Sequence, residues 1–157
     1  MADTGDSSAP VENVANLKFG PEFQEIHVLS NAQVAVILQV SARSAVNRDE
    51  ELNEVYRKTQ HYVNRFNTMT NPEKDHQELV DELDNLQDAL TTFRKETDDG
   101  EELDLHQAEV AALMNLVATD TLVEECLTLI PSLSRFPEAA IDEILDLIRS
   151  TMIRIVS

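Results

Sequence analysis

The stretch "LTLIPSLSRFPEAAIDEILDLI", residues 127–148, decides the fold because it holds two apolar helical patterns separated by a proline-bounded corner. Pro131 disfavours helical dihedral angles at Ile130 and removes one backbone hydrogen-bond donor, so the chain must turn there. We expect the turn to direct Ile130 and Leu133 into a core. This structural corner, Ile130, Pro131 and Leu133, therefore predicts that helices pack on both sides of it.

The last third of the chain, residues 104–157, predicts a compact helical bundle. Three helical patterns cover residues 104–117, 121–129 and 137–156, and Thr121 with Glu124 predicts a capping box for the second. The third pattern places six apolar residues on one face: Ile141, Ile144, Leu145, Ile148, Met152 and Ile155. These helices supply enough apolar faces to cover one another.

Composition supports an all-α fold with a strongly acidic surface. The chain has 157 residues, 42% of them hydrophobic, and only 3 Gly and 5 Pro, which disfavours a loop-rich β fold. Its net charge is -18 with 12 Lys and Arg, so direct nucleic-acid binding as a dominant function is disfavoured and a basic protein partner is favoured. Residues 73–104 carry -10 of that charge, from 13 acidic and three basic residues, and we expect them to be solvated.

The N-terminal quarter predicts surfaces that the chain cannot cover by itself. Residues 1–15 are small, polar and acidic, which predicts a disordered tail. The following "NLKFGPEFQEIHVLS", residues 16–30, places Leu17, Phe19 and Phe23 in an extended segment too short to form its own sheet. Such a segment is stable when it adds to the sheet or groove of another protein.

Two helices follow this segment, and both are rich in apolar residues. Ser30 and Gln33 predict a capping box that opens the first, whose apolar positions surround most of its circumference. These positions are Val34, Val36, Ile37, Leu38 and Val40. The second helix has one broad stripe formed by Leu52, Val55, Tyr56, Thr59, Tyr62, Val63 and Phe66. We expect the first helix to be covered on more than one side.

A charged third helix and an acidic linker join these helices to the bundle. Asn71 as cap and Pro72 at the first helical position predict its start. Its apolar seam has the 4, 3, 4, 3 spacing of Leu79, Leu83, Leu86, Leu90 and Phe93. This seam predicts a surface helix lying on the domain, with a self-associating coiled coil as the alternative. Residues 95–104, "KETDDGEELD", predict a hinge-like linker without the ligand order of a calcium loop.

No motif predicts catalysis, a cofactor or a metal. The four histidines fall in four different segments, which disfavours a metal site. Cys126 is the single cysteine, and we expect its side chain to be buried with apolar residues. No carboxylate is expected in an apolar stretch that would raise its pKa. The N-terminus lacks a signal-peptide pattern and no apolar run reaches the ~18 residues of a membrane span. We therefore expect a non-enzymatic, soluble intracellular protein with no membrane association.

Five segments together resemble the family of polymerase stalk subunits that includes the fourth subunit of eukaryotic RNA polymerase II. They are "NLKFGPEF" (16–23), "YRKTQHYVNRFNTMTN" (56–71), "LHQAEVAALMNL" (105–116), "LIPSLSRF" (129–136) and "AIDEILDLI" (140–148). Archaeal polymerase and RNA polymerase III have related subunits, and the first and fourth segments look closer to polymerase II. The chain departs from the family pattern at Ala108, at residues 67–69 and at residues 86–103, which look like an insertion.

The resemblance implies an extended N-terminal segment, two or three long helices and a C-terminal HRDC-like helical bundle. It implies a non-catalytic subunit in an obligate heterodimer with the seventh subunit, docked on the polymerase II core near the clamp and the RNA exit path. RNA would then be reached only through the heterodimer, with roles in initiation and mRNA fate, in the nucleus with shuttling to the cytoplasm. The implied units are a tail (1–15), a partner-binding part (16–70), a charged helix with linker (71–103) and the HRDC-like domain (104–157).

Apolar residues of the partner-binding part are the candidate site, because they exceed what six short helices can cover among themselves. The candidate partner-binding residues are Leu17, Phe19, Phe23, Val34, Ile37, Leu38, Tyr62, Val63 and Phe66. Three alternatives remain: the equivalent subunit of RNA polymerase III, a stand-alone HRDC-type nucleic-acid-binding module that uses Arg135, Arg149 and Arg154, and a helical adaptor unrelated to polymerase.

Overall fold

The computed structural model describes residues 12–23 and 26–157, which form six α-helices and one small hairpin. The helices are α1 (Asn31–Asn47), α2 (Glu54–Phe66), α3 (His76–Thr91), α4 (Gln107–Leu116), α5 (Val123–Leu129) and α6 (Glu138–Val156). The antiparallel strands are β1 (Arg94–Glu96) and β2 (Glu102–Asp104), and 3-10 helices span Val14–Asn16, Pro21–Phe23 and Pro131–Arg135. The all-α prediction is confirmed.

Helices α3 to α6 enclose one hydrophobic core, which we call the bundle core. The predicted face of α6 is buried along its length, and the predicted seam of α3 is buried from Leu79 to Leu90. Because α3 packs against α6 and α4, its seam is covered inside the same chain. The prediction of a helix lying on the domain is therefore confirmed, and the seam offers no surface for a coiled coil.

The structural corner has the predicted geometry. Ile130 adopts φ -130° and ψ 78°, outside the helical region, and Pro131 begins the 3-10 helix that connects α5 to α6. The side chains of Ile130 and Leu133 are buried in the bundle core. The Val14–Asn16 turn packs on the outside of this 3-10 helix. The corner therefore sets the angle between α5 and α6 and also supports the N-terminal segment.

Helix α3 begins four residues later than Asn71 and Pro72 predict. Asp75 is its N-cap, because its carboxylate accepts hydrogen bonds from the backbone N–H groups of Gln77 (3.0 Å) and Glu78 (3.3 Å). The Asn71 side chain instead donates to the carbonyl of Ile155 at 2.9 Å. The segment before α3 is therefore used to attach the chain to the end of α6, and this tertiary contact replaces an earlier helix start.

The expected acidic linker is a β-hairpin, so the prediction for residues 95–104 is wrong. Lys95 pairs with Leu103 in antiparallel register, and Gly100 has φ 80°, a left-handed conformation that glycine adopts without strain. Arg94 approaches Glu102 at 3.5 Å, and Lys95 donates to Glu143 of α6 at 2.7 Å. The two basic residues of β1 thus have carboxylates nearby, which stabilises the hairpin.

The capping box predicted from Thr121 and Glu124 is also wrong. Thr121 accepts through its hydroxyl from the N–H of Ala118 at 2.8 Å, closing the turn before the helix. The carboxylate that accepts from the N–H of the N-cap residue Leu122 is that of Glu125, at 3.1 Å. Because α5 begins at Val123, the capping carboxylate lies one position further along the chain.

The described part of the N-terminal segment contains two 3-10 turns, whereas an extended segment was expected from residue 16. Residues 1–11 lie outside the described residues, but Asn13 and Lys18 form an antiparallel bridge that closes the Val14–Asn16 turn. Leu17 has φ 56°, which reverses the chain, and Pro21 begins a second 3-10 turn. Extended backbone was expected at Phe23, and this prediction is wrong because Phe23 lies in a 3-10 turn. The expectation of a disordered tail at residues 1–15 stays a prediction.

Candidate partner-binding surface

Helix α1 lies between α2 and the bundle, and both neighbours together leave part of it uncovered. Its capping box is confirmed, since Gln33 accepts from the N–H of Ser30 at 2.9 Å and the Ser30 hydroxyl accepts from the N–H of Gln33 at 3.3 Å. The Gln33 amide also donates to Gln87 of α3 at 2.7 Å, which fixes α1 on the bundle. Ile37 and Val40, however, remain about half exposed.

Helix α2 divides its apolar residues between an inner face and an outer face. Tyr56 donates its hydroxyl to the carbonyl of Leu38, and Val63 is only 4% exposed, so both face α1. The outer face carries what we call the α2 stripe, with Val55 73%, Tyr62 57% and Phe66 47% exposed. The rings of Tyr62 and Phe66 contact each other with centroids 4.9 Å apart. The broad stripe predicted for this helix is therefore divided, with its inner half against α1 and its outer half exposed.

A second apolar surface follows the segment before α1, and we call it the N-terminal groove. Phe19 is half-buried and stacks on the His106 ring at 5.5 Å, whereas Phe23 is exposed. Phe19, Phe23, Ile26 and Val28 line a hollow of about 210 Å³ together with residues at the start of α4. Leu29, Ile37 and neighbouring residues line a further hollow of about 290 Å³ between α1 and α3. A third hollow has Val28 in common with the first hollow and Leu29 in common with the second.

The candidate partner-binding residues differ in how exposed they are. Phe23, Ile37, Tyr62 and Phe66 are exposed; Leu17, Phe19, Val34 and Leu38 are half-buried; and Val63 is buried. Val63 therefore holds α2 against α1 and is not available to a partner. The list omitted four exposed apolar residues on the same surfaces: Ile26, Leu29, Val40 and Val55. The run "IHVL" just before the capping box was the signal for the first two.

A third face of α2, beside the α2 stripe, is basic although the chain is acidic. Arg57, His61 and Arg65 are exposed and follow one another at intervals of four residues, so they form a ridge along the helix. The Arg65 guanidinium lies 5.3 Å from the centre of the Phe66 ring, so this ridge borders the α2 stripe. Residues 31–66 contain five Lys or Arg and four Asp or Glu, a net charge of +1 in a chain of -18.

Glu109 forms a buried ion pair that the sequence analysis missed. Its carboxylate is 1% exposed and accepts from Arg135 at 2.6 and 2.7 Å, from the Ser132 hydroxyl at 2.7 Å and from the His106 N–H at 2.9 Å. Burial acts to raise the pKa of Glu109, but these hydrogen bonds and the Arg135 charge hold that pKa below its usual value. Glu109 is therefore a carboxylate buried in an apolar helix, and its pKa is lowered, not raised.

This ion pair connects three parts of the bundle. Glu109 belongs to α4, Arg135 and Ser132 belong to the corner, and Arg135 also donates to the carbonyl of Asp104 in β2 at 2.7 Å. The Ser132 hydroxyl donates to Glu109 and so joins the corner directly to α4. With its oxygens bonded to cationic and neutral donors, Glu109 fixes the fold and has no free lone pair aimed at a cavity for acid or base chemistry.

The described residues offer little for metal or thiol chemistry. Nowhere in residues 12–23 and 26–157 do three His, Cys, Asp or Glu side chains come together in a way that would hold a metal ion. Cys126 is buried in the bundle core, and this burial raises the pKa of its thiol. Among the described helices, none is both long enough and apolar enough to span a bilayer.

The basic residues of the bundle are engaged by carboxylates of the same chain. Arg135 pairs with Glu109, Arg149 lies 3.1 Å from Asp146, and Arg154 donates to Glu82 at 2.9 Å. A stand-alone nucleic-acid-binding module would need these three arginines free for phosphates. Their pairing leaves the α1–α2 part as the better candidate surface.

A comparison with known protein families matches most of the chain. The family model described as "RNA polymerase Rpb4" matches residues 28–152. The matched range begins just before α1 and ends within α6, so it contains the α2 stripe, the basic ridge and all of the bundle core except Ile155. It begins after Phe19 and Phe23, so only the later part of the N-terminal groove falls within the match.

Proposed function

Because this chain belongs to the RNA polymerase Rpb4 family, we propose that it is the stalk subunit of RNA polymerase II and that it pairs with the seventh subunit. The family makes it a non-catalytic subunit of a DNA-directed RNA polymerase. The assignment to polymerase II is supported by the likeness of "NLKFGPEF" and "LIPSLSRF" to that branch of the family. The pairing is supported by the uncovered apolar surface of α1 and α2.

The exposure of the α2 stripe is the observation that carries the proposal. Val55, Tyr62 and Phe66 lie on a side of α2 that does not face α1, and the described residues of the chain leave all three exposed. Burying an aliphatic or aromatic side chain of this size contributes about 1.5 to 3 kcal/mol. Obligate interfaces bury above ~2,000 Å², so we expect the partner to cover the stripe and the N-terminal groove together.

The proposal includes the place of the heterodimer on the enzyme. The pair docks on the polymerase core near the clamp and the RNA exit path, supports initiation and links transcription to mRNA fate. RNA is reached through the seventh subunit, since the bundle arginines are occupied by carboxylates. In this proposal the bundle is HRDC-like and the subunit acts in the nucleus; shuttling to the cytoplasm stays a prediction.

Co-purification of the tagged full chain, followed by mass spectrometry, tests the proposal. We expect the seventh subunit and the large subunits of polymerase II to be enriched. Enrichment of polymerase III subunits instead would assign the chain to that enzyme, and absence of polymerase subunits would contradict the proposal.

A pair of matched double variants tests the surface. We expect Tyr62→Ser with Phe66→Ser to lose most of the seventh subunit, because both side chains lie in the proposed interface. The control is Leu122→Ser with Ile153→Ser, which removes equally exposed apolar side chains from the bundle. Equal recovery of the seventh subunit by both double variants would show that the α2 stripe is not the interface.

A further inference from the structure

The basic ridge on α2 points to the chemistry of the surface that receives it. We propose that the α2 ridge, Arg57, His61 and Arg65, meets a protein surface that carries carboxylates beside an apolar trough. The inference rests on the proposed function and extends it, because it names the kind of surface that the partner presents. The trough would accept the α2 stripe, and the carboxylates would face the ridge.

Unpaired arginines in a very acidic chain are the first support. The chain contains 30 Asp and Glu against 12 Lys and Arg, so a cation has many potential carboxylate neighbours. Within the described ranges, five arginines have a carboxylate within 4.0 Å: Arg48, Arg94, Arg135, Arg149 and Arg154. Arg43, Arg57 and Arg65 have none among the described residues. Two of these three guanidinium groups therefore lie on the helix that carries the uncovered apolar stripe, and the third lies on α1, which packs against that helix.

Contact between the ridge and the stripe is the second support. Arg65 covers one face of the Phe66 ring, and Val55 and Tyr62 continue the apolar row beside it. An interface with an apolar centre and a charged rim has this arrangement. Guanidinium groups at the rim bind carboxylates through two parallel hydrogen bonds, which fixes the orientation of the docked helix.

A protein fits this surface better than a nucleic acid does. A phosphate backbone would match Arg57 and Arg65, but it offers no apolar surface to cover the aliphatic Val55. Residues 73–104, which follow α2 after a short connection, carry a net charge of -10 and would repel a polyanion that extends beyond the ridge. A protein surface with carboxylates around an apolar trough would bind the arginines of the ridge and also cover the apolar side chains of the stripe.

Association kinetics of the full-length chain with the purified seventh subunit test this inference. We expect Arg57→Glu with Arg65→Glu to lower the association rate constant roughly tenfold at low salt, because opposite charges at an interface rim accelerate encounter. The difference should shrink between about 50 and about 300 mM salt, as screening shortens the reach of the charges. Arg57→Lys with Arg65→Lys keeps the charge and should retain most of the rate.

A charge reversal outside the ridge is the matched control. Arg94→Glu makes the same type of change on the β1–β2 hairpin and should leave the association rate within about twofold, because rim charges act locally once screened. Far-ultraviolet circular dichroism of each variant verifies that its helices are intact. An unchanged rate in the ridge double variant, with wild-type binding intact, would overturn the inference and leave the proposed function standing.

Two other outcomes are also decisive. If the seventh subunit does not bind even the wild-type chain, the proposed function fails, and the inference fails with it. If a single-stranded RNA oligomer binds the free chain and loses affinity on ridge reversal while the seventh subunit binds unchanged, the ridge serves a nucleic acid. That result would overturn the inference of an acidic protein surface.

Discussion

The bundle of α3 to α6 and the packed pair of helices α1 and α2, called the hairpin in this Discussion, both have strong apolar patterns. The apolar residues of the bundle are buried, whereas many of those in the hairpin are exposed. In the bundle, the predicted faces of α3 and α6 are buried against each other and against α4 and α5. In the hairpin, the buried apolar residues are Ala32, Ala45 and Val63, and larger side chains such as Ile37 and Phe66 are exposed.

This difference separates two uses of an apolar helix face. The bundle core gains its stabilisation within the chain, so α3 to α6 need no other protein to bury their seams. The hairpin is fixed on the bundle by small residues and by amide contacts such as Gln33 to Gln87, which contribute much less buried area. Its remaining apolar surface can contribute only when another protein covers it, and the following variants test this contrast.

Leu133→Ala should have the largest effect on the isolated chain. Leu133 is fully buried at the corner, and deleting a buried leucine side chain destabilises a domain by about 3 to 5 kcal/mol. Leu129→Ala, on the half-exposed face of α5, is the matched control and should cost less than about 1 kcal/mol. Urea unfolding monitored by circular dichroism measures both. Equal costs for the two variants would show that the corner is not part of the core.

Arg135→Ala should rank second, because it leaves the Glu109 carboxylate buried without its cation. Removing one partner of a buried pair costs about 3 to 5 kcal/mol, and the partial exposure of Arg135 reduces our expectation to about 2 to 3 kcal/mol. Lys58→Ala in the hairpin removes an exposed pair with Glu54 and should cost less than about 0.5 kcal/mol. The same unfolding measurement compares them. A loss below 1 kcal/mol (roughly the exposed-pair value) for Arg135→Ala would contradict this role.

Acidification should weaken the bundle through Glu109. Because its folded-state pKa lies below the unfolded value, Glu109 contributes stability that is fully present above the unfolded pKa, and this stability is lost as pH falls through the folded pKa. Glu109→Gln should therefore show a shallower loss of unfolding free energy below about pH 4.5, near the ordinary glutamate pKa. Parallel pH profiles for wild type and variant would show that Glu109 is not held ionised by Arg135.

Pro131→Ala should have a moderate effect. The proline restricts the unfolded chain and begins the 3-10 helix of the corner, so its replacement should cost about 1 kcal/mol in the isolated chain. Thermal unfolding of the isolated chain measures this cost. A cost comparable to that of Leu133→Ala would mean that the proline itself, and not the buried side chains beside it, maintains the angle between α5 and α6.

Tyr62→Ser with Phe66→Ser should have the smallest effect on the isolated chain. Both side chains are about half exposed, so we expect a change within about 0.5 kcal/mol. The same double variant should nevertheless lose the seventh subunit, as proposed above. A large loss of stability in the isolated chain would contradict the contrast between bundle and hairpin, because it would show that the stripe already supports the fold.

Local periodicity was sufficient to predict some elements and insufficient for others. The faces of α3 and α6, the Ser30 capping box and the Pro131 corner follow from spacing and backbone sterics, which operate over a few residues. Glu109 and Arg135 are 26 residues apart and meet only after the corner forms, so no local spacing indicated their pair. The β1–β2 hairpin was missed because an acidic composition obscured the basic residues that stabilise it.

The candidate surface was predictable in outline but not residue by residue. The sequence indicated an excess of apolar surface around Phe23, Ile37 and Phe66, and these side chains are exposed. It did not indicate which half of the α2 pattern faces α1, because that depends on how Tyr56 and Val63 dock against the first helix. The choice between covered and uncovered faces is made by tertiary packing.

Hydrogen exchange of backbone amides, measured on the full-length chain alone and with the seventh subunit, tests the central claim most directly. We predict that amides of α3, α4 and α6 are strongly protected in both samples. In the isolated chain, amides of α1 and α2 should exchange through local openings that require a much smaller free energy. In the complex, their protection should increase roughly 100-fold or more. Equal protection of the hairpin and the bundle in the isolated chain would contradict the claim that the hairpin requires a partner.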